Sequence, residues 1–222
     1  MDSVLLIDKP KGITSAKAVA LVKRVLKVKV GHTGTLDPLA TGLLILLTGK
    51  CTKQASSFLH MDKSYVVRAV FGMSTTTYDV AGDVVKTSDL SVTRQQVEDA
   101  LAEFNGEMSQ VPPAYSAKKV NGKKAYELAR KGVEVEIPAS SVTVYGLRLA
   151  SFEFPHFTLE CDVSSGFYVR SLVHDLGEKL GVGATVEEVR RVKVGKYSIE
   201  DAVTLESLLG SLEGSGAAVP GR

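Results

Sequence analysis

Residues 31–47 read Gly31-His32-Thr33-Gly34-Thr35-Leu36-Asp37-Pro38-Leu39-Ala40-Thr41-Gly42-Leu43-Leu44-Ile45-Leu46-Leu47, a polar, glycine-rich run that ends in five consecutive apolar residues. The apolar end has the length and character of a buried strand. The polar part carries one carboxylate, Asp37, among glycines that permit close backbone approach. Pro38 fixes its own φ and biases Asp37 towards extended backbone. A polar loop anchored to a core strand is a common seat for chemistry, so the stretch reads as a loop that presents a held carboxylate. A tight turn in which Asp37 bonds its own backbone is the alternative that these residues leave open.

On the N-terminal side, Val4 to Ile7 reads as a strand, and Asp8-Lys9-Pro10-Lys11-Gly12 as a turn. Thr14 or Ser15 caps a helix to about Val28 whose apolar stripe leaves Lys23, Arg24 and Lys27 outside. Downstream, helices are expected over 52–60, from Thr93 to Phe104 behind a capping box with Gln96, over 125–131, over 168–180, from a Thr185 cap to Arg191, and over 204–210. Strands are expected over 43–47, 64–71, 133–137, 142–154, 157–164 and 192–197, with Pro155-His156 joining two of them as a hairpin. No repeat or linker divides the chain, so residues 1–210 read as one α+β domain and 211–222 as a flexible tail.

The chain has 222 residues, of which 44% are apolar, enough for a substantial core. The start does not have the form of a signal peptide, and no apolar run approaches the roughly 20 residues a membrane helix needs. Cys51 and Cys161 lack metal or CxxC spacing and are expected as reduced thiols, in a cytoplasmic setting. The net charge of +2 is unevenly spread. Residues 1–30 carry Lys9, Lys11, Lys17, Lys23, Arg24, Lys27 and Lys29, and residues 112–132 carry Lys118, Lys119, Lys123, Lys124, Arg130 and Lys131. Meeting on one face, these segments would attract phosphates; as separate helix backs they would be ordinary solvated lysines.

Other chemistries fit poorly. Gly49-Lys50 is followed by Cys51 and lacks the preceding glycine of a phosphate loop. His32, His60, His156 and His174 have no zinc-ligand spacing, so no metal is expected. A glycosidase of the usual kind needs two opposed carboxylates. A lone aspartate working in a dry pocket is best kept ionised by an arginine, and Arg170, after Gly166-Phe167-Tyr168-Val169, is a candidate, although a surface ion pair is the plainer reading. Tyr65 could stack on a nucleobase or could be a core tyrosine.

GHTGTLDPLATGLL at 31–44 resembles the catalytic motif of the TruB family of tRNA pseudouridine synthases. DKPKGITS at 8–15, VPPAYSAKKVNGKKAYELARKG at 111–132 and SSGFYVRSLVHDLG at 164–177 resemble that family's other motifs, in the family's order. The resemblance implies the pseudouridine synthase fold, a mixed and largely antiparallel sheet flanked by helices. It implies isomerisation of a uridine at position 55, in the T-loop of tRNA, without cofactor or metal, by a monomer. Asp37 then matches the nucleophile, Arg170 the arginine that pairs with it, and Tyr65 the tyrosine that stacks on the base. His32 matches a histidine associated with the flipped-out nucleotides. Lys9, with Lys118, Lys119 and Lys123, is a candidate RNA contact, Lys9 with a structural role as its alternative. Bacterial members usually carry a further C-terminal RNA-binding PUA domain, and the chain stops about where it would begin, which leads us to expect weaker and more salt-sensitive tRNA binding. A non-catalytic RNA-binding or tRNA-folding module on the same fold is the reading from another class.

Overall fold

The computed structural model describes residues 2–120, 122–133 and 136–214. In chain order the first elements are β1 (Val4–Lys9), α1 (Ser15–Leu26), β2 (Val30–His32), β3 (Thr41–Thr48), α2 (Ala55–Leu59) and β4 (Lys63–Phe71). There follow β5 (Met73–Thr75), β6 (Val84–Thr87), α3 (Arg94–Ala102), β7 (Gly106–Gln110), β8 (Lys119–Val120), β9 (Lys123–Lys124) and α4 (Ala125–Ala129). The last are β10 (Ser140–Glu153), β11 (His156–Val163), α5 (Val169–Lys179), β12 (Ala184–Val194), β13 (Tyr197–Ser198), β14 (Val203–Thr204) and α6 (Leu205–Gly214). The chain folds as two compact units, residues 1–64 with 190–222, and residues 65–189.

In the first unit β3 is the central strand. It pairs antiparallel with β1 from Val4↔Leu47 to Lys9↔Gly42, antiparallel with β2, and parallel with the end of β12 through Arg190↔Thr41 and Arg191↔Gly42. β14 adds to the far side of β1 in parallel. Every residue of β3 after Thr41 is buried. A strand covered on both faces has no polar side to show, which explains the unbroken apolar run. Leu43, Ile45, Leu47, Phe58 and Val194 form one core cluster. α1 begins where Thr14 Oγ1 accepts from the Lys17 backbone at 3.0 Å and buries Ala18 and Val22, while Lys17, Lys23 and Arg24 face solvent.

In the second unit β4, β11, β10 and β7 are neighbours in that order. β10 pairs antiparallel with β7 and with β11, whose hairpin turns through the cis Phe154-Pro155 bond. Val67, Ala69 and Phe71 of β4 are buried, and Phe71 stacks on Phe157 at 4.1 Å between ring centroids. The Thr93/Gln96 capping box expected at the start of α3 is present in both directions.

Four expectations are corrected. Residues 184–194 form one strand rather than a helix followed by a strand. Thr185 with the two glutamates that follow looks like a helix start, but a sequence rich in β-branched valine finds a partner strand in β3, and tertiary pairing overrides the local signal. The helix expected over 52–60 is a 3-10 turn, Gly49–Gln54, followed by the short α2. The last helix runs on to Gly214, four residues into the expected tail. Of the strand expected over 133–137, the described residues Val133, Glu136 and Ile137 are irregular rather than extended in a sheet, and residues 134–135, like 215–222 of the tail, lie outside the described residues. Among the described residues, no helix is long and apolar enough to cross a membrane.

Candidate active site

Asp37 is half-buried at the tip of a loop fastened at four points. Ser15 Oγ accepts from the Leu36 backbone N–H at 2.8 Å and donates to the Leu36 carbonyl at 2.9 Å, so one buried hydroxyl satisfies both backbone groups of the residue before Asp37. The Gly12 N–H donates to the Pro38 carbonyl at 2.8 Å. Arg191 Nη2 donates to the Gly34 carbonyl at 3.1 Å, and its Nε to the Leu43 carbonyl at 2.8 Å. The loop ends at Gly42, whose φ is +100° and where an added Cβ would stand 2.3 Å from the Arg191 carbonyl oxygen, so only glycine fits this strand crossing.

Lys9 is fully buried in the same unit. Its ammonium donates to the carbonyls of Pro10 and Ile13 at 2.9 and 2.8 Å. Burial lowers its pKa to about 8, against the pull of the nearby Asp37 carboxylate, while the Arg191 cation adds to the lowering. Grouped with the RNA-facing lysines from sequence, Lys9 instead serves the turn before α1, because an ammonium enclosed by protein carbonyls has no surface to offer a phosphate. Lys63 is held in the same way by the carbonyls of Leu59 and Met61, its pKa also lowered to about 8 by burial. His32, half-buried on β2, accepts from the Gly34 N–H through Nδ1 at 3.4 Å.

The second unit holds Arg170, in the first turn of α5 and 7% exposed. Nη1 donates to the Thr77 carbonyl at 2.8 Å and Nη2 to the Tyr115 carbonyl at 2.9 Å, while Nε lies 3.7 Å from Asp79 Oδ2. Asp79 is itself fixed, its Oδ1 accepting from Thr77 Oγ1 at 2.7 Å and from the Ala81 N–H at 3.0 Å. The start of α5 is anchored as firmly. The Gln110 carboxamide exchanges two hydrogen bonds with the Tyr168 backbone, at 2.8 and 3.0 Å, and Ser171 Oγ donates to the Val111 carbonyl at 2.8 Å. Tyr65 is half-buried at the head of the apolar face of β4.

Asp79 and Arg191 were not singled out from sequence. Asp79 sat within a Ser/Thr-rich loop, where the Asp79-to-Gly82 spacing was the available turn signal. On the helix expected from Thr185, Arg191 is the last residue, a position that carries no signal of a buried role. Lys118 donates to Ser140 Oγ at 2.9 Å, and Lys119 and Lys123 are exposed on the β8–β9 hairpin, where Lys119 stands opposite Lys124.

Residues 23–169 match the family model described as TruB family pseudouridylate synthase, N terminal domain, and residues 170–215 the one described as tRNA pseudouridylate synthase B C-terminal domain. A curated relative named tRNA pseudouridine synthase B from Aquifex aeolicus is 50% identical over 95% of this chain and 75% of its own length. One of the same name from Vibrio atlanticus is 46% identical over 96% of this chain and 68% of its own length. Among solved structures, a chain of a Cbf5-Nop10-Gar1 complex superposes with a TM-score of 0.72 at 28% identity, over 93% of this chain and 53% of that one. A chain of an H/ACA RNP bound to a substrate RNA containing 2'-deoxyuridine gives a TM-score of 0.70 at 27% identity, over 93% of this chain and 52% of its own. The chain thus spans about half the length of these solved neighbours. With its mixed, helix-flanked sheets and its fastened aspartate loop, the chain has the pseudouridine synthase fold and belongs to the TruB family of pseudouridylate synthases, enzymes of the isomerase class.

Proposed function

We propose that the chain isomerises a uridine of tRNA, at position 55 in the T-loop, to pseudouridine, with Asp37 as the reacting carboxylate. The observation that carries this reading is the four-point fastening of the Asp37 loop, which holds one carboxylate in place before any substrate arrives. The relatives' name and the RNA-bound neighbour support an RNA substrate. In the reaction the N1–C1' glycosidic bond breaks, uracil turns, and a C5–C1' bond forms. The C5 proton then leaves and N1 gains one, so no redox partner or cofactor is needed for balance. Asp37 promotes the departure of uracil, by attack at C1' or by removing the C2' proton to give a glycal. Tyr65 stacks on the extruded base, Arg170 supplies a cation suited to keeping a reacting carboxylate ionised, and His32 faces the flipped nucleotides. Extrusion costs a few kcal/mol, which stacking and cationic contacts to phosphates offset. Lys119 and Lys123, exposed on their hairpin, are suited to those contacts. The enzyme acts as a cytoplasmic monomer without a metal.

The test is to incubate the protein with T-arm RNA and map pseudouridine. Asp37→Asn keeps the shape of the side chain and removes its charge, so formation falls by roughly a thousandfold or more while RNA binding stays within a few-fold. A folded variant that keeps its turnover, or an unmodified chain that binds the RNA and leaves it unchanged, overturns the proposal.

A further inference from the structure

We infer that Arg191 is a positioning residue for the Asp37 loop, tying its start at Gly34 to its end at Leu43 and so fixing where the carboxylate is presented. The inference rests on the reading of Asp37 as the reacting group. Asp37 lies between the two carbonyls that the guanidinium holds, so the ten-residue span from 34 to 43 is closed by one side chain. Two features make this side chain more than filler. Arg191 is 3% exposed, and two separate nitrogens of its rigid guanidinium, Nε and Nη2, reach the carbonyls of Leu43 and Gly34, whereas the single nitrogen of Lys9 or Lys63 gathers carbonyls of one turn. Its backbone is also fixed, because Arg191 pairs with Gly42 in the β12–β3 ladder at a crossing too close for any other residue at 42. The guanidinium therefore leaves a rigid strand at a set point, and the loop takes its shape from that point.

The charges around it suit the same role. Arg191 shares its surroundings with Lys9 and Lys63, whose ammonium groups are less easily protonated in its presence. Placing a third cation there is unfavourable unless it does something a neutral residue would not. Holding two carbonyl oxygens beside a reacting carboxylate is such a task, since a displacement of about 1 Å at a reacting group can cost 100-fold in rate.

Arg191→Lys retains the charge but has one nitrogen where the guanidinium uses two, Nε and Nη2, so it does not hold the Gly34 and Leu43 carbonyls at their present separation. With T-arm RNA under single-turnover conditions, its rate constant for pseudouridine formation falls about 10- to 100-fold, while the Kd for the RNA stays within about threefold. Arg191→Gln, which also loses the charge, falls at least as far. Unmodified protein that makes no pseudouridine, or Asp37→Asn at full rate, defeats the reading of Asp37. An active unmodified protein, an inactive Asp37→Asn and Arg191→Lys at full rate together defeat the positioning role by itself. A loss confined to Kd, or an Arg191→Lys chain that no longer melts cooperatively, also overturns it, because Arg191 would then be an RNA contact or a scaffold residue.

Discussion

Arg170 and Arg191 are both buried, yet their surroundings hold them by different means. In the second unit Arg170 has a side-chain counter-charge, Asp79, itself anchored by Thr77 and Ala81, in addition to the carbonyls of Thr77 and Tyr115. In the first unit Arg191 is held by the carbonyls of Gly34 and Leu43, and its cationic neighbours Lys9 and Lys63 are likewise held by backbone oxygens. A carboxylate can be removed by changing one residue. Carbonyls belong to the loops themselves and cannot be changed that way. The placement of Arg170 thus depends on another side chain, whereas in the first unit the cations and the loops fix one another.

The largest effect is expected where a counter-charge can be taken away. Asp79→Asn keeps an oxygen for Thr77 and Ala81 but leaves the Arg170 cation without that carboxylate. Removing one partner of a buried pair costs about 3–5 kcal/mol. The 3.7 Å separation places this pair at the lower end, about 3 kcal/mol, read from denaturant unfolding, with turnover falling at least about tenfold. Unchanged stability and turnover would show that the carbonyls of Thr77 and Tyr115 suffice, and the contrast between the two arginines would disappear.

The same contrast sorts what the sequence let one read. The Asp37 loop, the central strand and the caps at Thr14 and Thr93 were legible because each rests on local chemistry: glycine and proline geometry, an apolar run, and a hydroxyl three residues from the amide it accepts. The family resemblance supplied Arg170 and Tyr65, which local chemistry left as a surface ion pair and a core residue. Arg191 is hidden by its setting, because residues 185–191 carry a helix-start signal although they lie in a strand. A helix from Thr185 would have left Arg190 and Arg191 in solvent at its end. The strand instead buries Arg191 and puts Arg190 on Asp8 in a two-pronged ion pair at 2.7 and 3.1 Å. Nothing within residues 185–191 announces a partner strand about 150 positions earlier, and that pairing decides where both arginines go.

A smaller effect is expected from the cations held by carbonyls. Burial lowers Lys9 to about 8 from an ordinary 10.5, so between those values the unfolded chain binds more protons than the folded one. Stability contributed through Lys9 therefore rises with pH in that window and is flat below it. Cys161, pushed up to about 12 by burial, acts in the opposite sense above pH 9, so the clean measure is a difference between variants. Lys9→Met cannot titrate. Its stability relative to the unmodified chain should fall by about 1 kcal/mol between pH 8 and 9, read from urea unfolding at each pH. A pH-independent difference would mean that the two carbonyls keep Lys9 charged throughout, and that backbone oxygen neutralises a buried cation as well as Asp79 does.

The smallest effect is expected of a cation that is not buried. Lys119 stands directly across the β8–β9 hairpin from Lys124, an arrangement of like charges that costs a few tenths of a kcal/mol without an anion. Lys119→Ala should leave folding stability unchanged or slightly raised, by less than about 0.5 kcal/mol, while weakening T-arm RNA binding and lowering the slope of log K against log salt by about one. The opposed signs are the discriminating point, since a buried cation lost from either arginine region lowers stability and activity together. If Lys119→Ala lost stability and left the salt slope unchanged, the hairpin lysines would belong with the cations the fold holds for itself, and the phosphate contacts of the proposed enzyme would have to lie on another surface.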